Sequence, residues 1–361
     1  MGRGGSRFWR EAGVLAVIGA LSAATAGCDG DGATDPEPTP EPEPFVIDVG
    51  DLPPMPAFPA NPTTAAGVAL GRHLFYDPIL SGDGSQSCGD CHQQAAAFGD
   101  PERFSLGIQG HPGTRNAQVI VNPAWQDFQF WDGREESLED QAREPVANPL
   151  EMDADWDTVV ARIAATTRYP PLFRDAFGSP HVTQDRVVMA IAQFQRTFVS
   201  ANSRFDREAR GDIAFTAAEA RGEELFFSER AECAHCHAGP LFTDHEFHDI
   251  GLEEAPADSG RAAATQQPFD LGKFKTPTLR NVAVSAPYMH DGRFETLEAV
   301  LAHYSEDVQR SPNLDPTLGV HLVDGARGLE LSEAERQDLI AFLHTLTDPD
   351  FLTNPALAPP R

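Results

Sequence analysis

Cys88-Gly89-Asp90-Cys91-His92 and, further along the chain, Cys233-Ala234-His235-Cys236-His237 each spell C-x-x-C-H. That spacing is the attachment signature of c-type haem. Two thioether bonds consume both thiols, and the histidine that follows becomes an axial ligand of the iron. A redox dithiol or half of a zinc site would also use paired cysteines. Neither explains a histidine directly after both pairs. The sequence has five cysteines, so only Cys28 is left outside the two motifs.

The chain repeats itself around these motifs. Gly71-Arg72-His73-Leu74-Phe75-Tyr76 precedes the first, and Gly222-Glu223-Glu224-Leu225-Phe226-Phe227 precedes the second. Both continue helical apolar patterns, from Thr64 and from Ala217, able to pack an edge of a porphyrin. Downstream, Arg115-Asn116 is answered by Arg280-Asn281, and Trp131-Asp132-Gly133-Arg134 by His290-Asp291-Gly292-Arg293. Ser137 and Thr296 read as N-caps of the helices that follow. Between the repeats, Asp185 to Arg210 reads as an amphipathic helix with Val187, Ile191, Phe194 and Phe198 on one face. Strand signals are scarce. The expected fold is mainly α, with two tandem cytochrome c-like haem domains and long loops. Aligning the repeats on Leu138 and Leu297 sets Pro145 opposite Tyr304. A proline cannot bind iron, whereas a tyrosinate can; a helix tyrosine packed by its ring is the plainer alternative.

Arg3, Arg7 and Arg10 open the chain, an apolar run covers Ala12 to Ala24, and Thr25-Ala26-Gly27-Cys28 closes it. Residues 1–28 therefore read as a lipoprotein-type signal peptide with Cys28 as the lipidated residue, a plain secretory signal being the alternative. Residues 29–44 are an acidic, proline-rich linker of extended character. Residues 45–200 are assigned to the N-terminal haem domain, 201–349 to the C-terminal one, and 350–361 to a tail. No further stretch has the apolar length of a spanning helix. The expected location is the periplasm or cell envelope, with membrane contact only through a lipid anchor at Cys28. With 361 residues and a formal net charge of -28, the surface repels nucleic acid and attracts basic partners, although acidity also simply keeps an exported protein soluble.

From about Leu52 to Thr347 the chain resembles the bacterial di-haem cytochrome c peroxidase family, including its MauG-like branch. The resemblance rests on Gly71 to Pro78, Phe130-Trp131-Asp132-Gly133-Arg134, Glu151-Met152, Lys275 to Asn281 and Pro287 to Gly292, with both C-x-x-C-H motifs in register. It implies two covalent haems, the N-terminal one peroxidatic and the C-terminal one an electron relay. Gln141 and Glu151 match residues over the peroxidatic iron, where a carboxylate moves a proton between peroxide oxygens while an amide orients the substrate. Trp131 matches a tryptophan between the haems. Asn116 and the carbonyls of Ser285 and Pro287 match the ligands of a calcium ion.

Two positions depart from the peroxidase pattern. Ser105-Leu106-Gly107 is followed by Ile108, where many members carry a histidine that closes the resting iron; His111 stands three residues later as a substitute. The methionine ligand of the usual relay haem falls in register with Tyr304, as in MauG-like members, with Met289 as the fallback ligand. The resemblance thus implies reduction of hydrogen peroxide with electrons from a small periplasmic cytochrome c or cupredoxin. The alternative is MauG-like oxidation of residues on a partner protein through a high-valent di-haem state. A non-enzymatic di-haem electron carrier is the weakest reading, since it leaves an open iron unexplained.

Overall fold

A computed structural model describes residues 44–360. The signal segment with Cys28, and the linker but for its last residue, lie outside the described residues. The described chain is mainly helical, with one two-stranded antiparallel pairing of Phe247–His248 with Phe274–Lys275. None of its helices is long and apolar enough to cross a membrane.

Each half is built on a pair of crossing helices. Thr64 caps the helix Ala65–Phe75, its side chain accepting from the Gly67 amide. Thr216 and Glu219 form a capping box on Ala217–Phe226, and Ser332 and Glu335 form another on Glu333–Thr345. Ala65–Phe75 crosses Gln184–Gln195, and Ala217–Phe226 crosses Glu333–Thr345. Both crossings close on a glycine. A Cβ at Gly71 would strike the Ala190 carbonyl and sit 2.9 Å from the Phe194 Cβ; one at Gly222 would strike the Asp338 carbonyl and sit 2.8 Å from the Phe342 Cβ. Only glycine lets the backbones approach so closely.

Aromatic rings fill both crossings. Phe75, Phe98, Phe194 and Phe198 form the first core, with Phe98 stacked on Phe198 at 4.0 Å. Phe226, Phe242 and Phe342 centre the second. The described residues make one compact unit around these two cores, because polar clamps join them. Arg115 reaches Asp132 at 2.7 Å and Asp258 at 2.7 and 2.8 Å. The Asp348 carboxylate accepts from Ser200, Ala201 and Asn202.

Two boundaries differ from expectation. The helix expected from Asp185 to Arg210 ends at Gln195, and a second, Arg204–Ala209, starts after Ser203. Asn122 takes the backbone between them, its backbone N–H donating to the Phe198 carbonyl and its side-chain Oδ1 accepting from Ser200 N. The stretch assigned as a tail is docked: Phe351 and Leu357 are buried in the first core, and Tyr76 donates to the Leu357 carbonyl at 2.6 Å.

Candidate functional site

Each C-x-x-C-H segment forms one turn of helix that ends at the histidine. Ser87 and Asp90 make a capping box on Cys88–Cys91, and the second turn is Cys233–Cys236. The first turn opens on a cavity lined by Cys88, Cys91 and His92; the second opens on a cavity lined by Cys233, Cys236 and His237. Both imidazoles are fixed the same way. His92 Nδ1 lies 2.7 Å from the Phe98 carbonyl, and His237 Nδ1 lies 3.1 Å from the Phe242 carbonyl. A carbonyl accepts only from a protonated Nδ1, so Nε2 is left as the lone-pair nitrogen. Burial pushes both imidazoles below their usual range, which favours the neutral form a metal needs. Burial also pushes the thiols up, Cys88 and Cys233 to about 12 and Cys91 to about 11. All four cysteines are free of disulfides. Paired thiols beside an oriented imidazole, each at the wall of a cavity, fit covalent haem at both places.

The first cavity also receives Gln141, Glu151 and Trp131. Gln141 ends the short helix Leu138–Gln141, which Ser137 caps through the Asp140 amide. Glu151 accepts from Asn148 Nδ2 at 2.7 Å. Burial raises its carboxyl above the ordinary range, against the pull of Asn148 and Arg134. Ile108 donates its amide to the Glu151 carbonyl at 2.9 Å, so the loop that would carry a closing histidine is tied to the Glu151 segment instead. Ile108 is not among the cavity's lining residues, and His111 is exposed to solvent outside it.

Pro145 faces the first cavity and Tyr304 the second, as the alignment on Leu138 and Leu297 requires. Tyr304 lies near Cys233 and Cys236, and burial holds its phenol well above the usual range. Met289 lines the same cavity. Asn116, Trp131 and His290 line both cavities. The Trp131 indole donates to the Asn116 carbonyl at 2.9 Å, and the Asn116 amide donates to the His290 carbonyl at 2.8 Å. Ser285 and Pro287 border the second cavity alongside Asn116.

Three side chains at the cavities escaped sequence reasoning. His248 is clamped between Asp244 at 2.8 Å and Asp315 at 2.6 Å, and those carboxylates push it up to about 12. Lys275 donates to Gln126 Oε1 and the Phe128 carbonyl, both at 2.8 Å, and burial pushes it down to about 7. Gln195 faces the first cavity from its helix. The pattern of apolar positions gave no signal for any of them.

The sequence model of the family described as di-haem cytochrome c peroxidase matches residues 65–214. The chain is 43% identical over 302 residues to the methylamine utilization protein MauG of Methylorubrum extorquens, spanning 82% of this chain and 83% of that one. It is 36% identical over 343 residues to cytochrome-c peroxidase IdrP1 of Denitromonas iodatirespirans, spanning 86% and 89%. Among solved structures, a MauG-like protein associated with microbial copper homeostasis is similar with a TM-score of 0.79 at 36% identity, over 86% of this chain and 98% of that one.

Proposed function

The chain belongs to the di-haem cytochrome c peroxidase and MauG family, and from that premise we propose that it reduces hydrogen peroxide in the first cavity with electrons passed from the second. Bound haem supplies the redox-active iron that delivers two electrons to the peroxide, which with two protons becomes two water molecules. Cys88, Cys91 and His92 hold the first haem, and Cys233, Cys236 and His237 the second, in two tandem cytochrome c-like domains. What carries the reading is the convergence of Gln141 and Glu151 on the cavity that His92 faces.

Glu151 takes a proton from one peroxide oxygen and returns it to the other, which departs as water. Its bond from Asn148 holds the carboxylate in place. The Gln141 amide orients the peroxide. Trp131, touching both cavities, is the stepping stone between them. Because burial raises Glu151, and the deprotonated form starts the transfer, kcat/KM should fall on the acid side through a pKa above the ordinary glutamate value of about 4.3. Glu151→Gln should abolish that limb and slow turnover with peroxide and reduced cytochrome c by about a hundredfold or more. An unchanged rate and profile would remove Glu151 from the mechanism.

Tyr304 is the proposed second ligand of the C-terminal haem. Burial alone keeps the phenol protonated, and the positive charge of a bound iron would offset that burial. A phenolate stabilises the ferric state more than a thioether does, so Tyr304→Met should raise the potential of this haem. An unchanged potential and spectrum would return the ligand role to Met289. This residue, together with Ile108 and the outlying His111, favours a second reading: peroxide-driven oxidation of side chains on a partner protein. Radical or crosslink formation on candidate partners, set against cytochrome c turnover, separates the two. Asn116 with the Ser285 and Pro287 carbonyls would hold a calcium ion between the haem sites, since oxygen donors suit that cation. The net charge of -28 favours a basic donor or partner protein, met in the periplasm by a chain anchored through Cys28.

A further inference from the structure

Gln195 is 4% exposed, it lines the first cavity, and its Oε1 has no hydrogen-bond partner. Ile191, one turn earlier, lines the same cavity, so both lie on one face of the helix Gln184–Gln195. The duplication shows what the fold itself asks for at this position. The glycine crossings equate Ala190 with Asp338 and Phe194 with Phe342. One residue further on in each case, Ile191 corresponds to Leu339 and Gln195 to Leu343. Leu339 and Leu343 line the second cavity. A leucine therefore serves at this station of the fold, and packing alone does not call for an amide.

A buried amide left without a partner is destabilising, so the one in the first cavity needs an explanation. Two other polar groups of the cavity are already taken, His92 Nδ1 by Phe98 and Glu151 by Asn148. The orphaned atom is an acceptor and needs a donor. The haem periphery offers acceptors, whereas water offers both donors and acceptors. We propose that Gln195 holds an ordered water inside the first cavity, and that this polar pair, absent from the second cavity, lowers the reduction potential of the first haem. Polar, hydrogen-bonded surroundings favour the more highly charged ferric state over the ferrous one. The inference rests on the reading above that the first cavity holds haem. It assigns Gln195 as a positioning residue that acts through the water.

The test uses the full haem-loaded chain, with two covalent haems confirmed by mass in each variant. Gln195→Leu, which installs the side chain of the sister cavity, should raise the potential of the first haem in a spectroelectrochemical titration and leave the second unmoved. Leu343→Gln should lower the potential of the second haem and spare the first. Should Gln195→Leu fail to load haem, Gln195→Met is read by the same criterion. An unmoved first potential in the loaded variant overturns the inference, as does a crystal structure of the loaded protein in which Gln195 pairs with a protein group. Potentials that shift as stated in a protein without peroxide turnover would sink the proposed function and leave this inference standing. A wild-type chain without covalent haem would sink both.

Discussion

Serine at both Cys88 and Cys91 should leave a chain carrying one covalent haem, its mass lower by one group, with peroxide turnover lost. The thiols that form the thioethers lie beside His92 on the cavity that also receives Gln141 and Glu151. Without the covalent anchor, that cavity would keep Gln141 and Glu151 and lose the iron that they are proposed to serve. The second site should be untouched, because Cys233, Cys236 and His237 sit in a cavity of their own, and its absorbance and axial-ligand spectrum should persist. The reciprocal pair, Cys233→Ser with Cys236→Ser, should keep a haem that binds peroxide and lose the electron supply, so multiple turnovers with reduced cytochrome c stop. Two haems in either double variant, or undiminished turnover in the first, would refute the assignment of the sites.

Arg280→Ala should destabilise the loaded protein by about 3–5 kcal/mol, the scale of a buried ion pair stripped of one partner. Arg280 and Asp206 are 1% and 8% exposed in their side chains, and they meet through two bonds of 2.8 and 2.9 Å. Arg280 also donates to the Pro240 carbonyl at 2.7 Å, and Asp206 closes the capping box with Ser203. Removing the guanidinium strands a carboxylate away from water at the start of a helix. Burial alone would raise that carboxyl, but the Arg280 hydrogen bonds and charge hold it below its usual value. A depressed folded-state pKa contributes stability that is present above the unfolded value of about 3.9 and lost as pH falls through the folded one. The cost of Arg280→Ala, measured by urea unfolding at neutral pH, should therefore shrink in acid. Arg103→Ala is the control, since its side chain is 57% exposed, its ion pair with Asp291 is long at 3.7 Å and its one close contact there is a surface bond from Nε to the Asp291 carbonyl at 2.9 Å; it should cost no more than about 1 kcal/mol. Equal losses for the two variants would refute the burial argument.

What could be read in the sequence is local or repeated. The C-x-x-C-H turns, the Ser137 and Thr296 caps and the paired glycines 71 and 222 all declare themselves within a few residues, and the duplication supplied Pro145 against Tyr304. The end of the helix at Gln195 could not be read from apolar spacing, because Phe198 continues the pattern while Asn122, far upstream, takes over the backbone there. The Ser203-x-x-Asp206 capping box was the available sign that a new helix begins. Lys275 takes its character from a partner distant in sequence, Gln126 149 residues away, and His248 needs Asp315, 67 residues away, to complete the clamp that Asp244 begins locally. Gln195 looked like any polar helix position, since nothing local tells which way an amide faces.

The docking of Phe351 and Leu357 into the first core sets an order of assembly. Everything the second core needs, through Leu346, has been made before those two residues leave the ribosome. The half that is synthesised first therefore has its core completed last, by residues that follow every member of the second core.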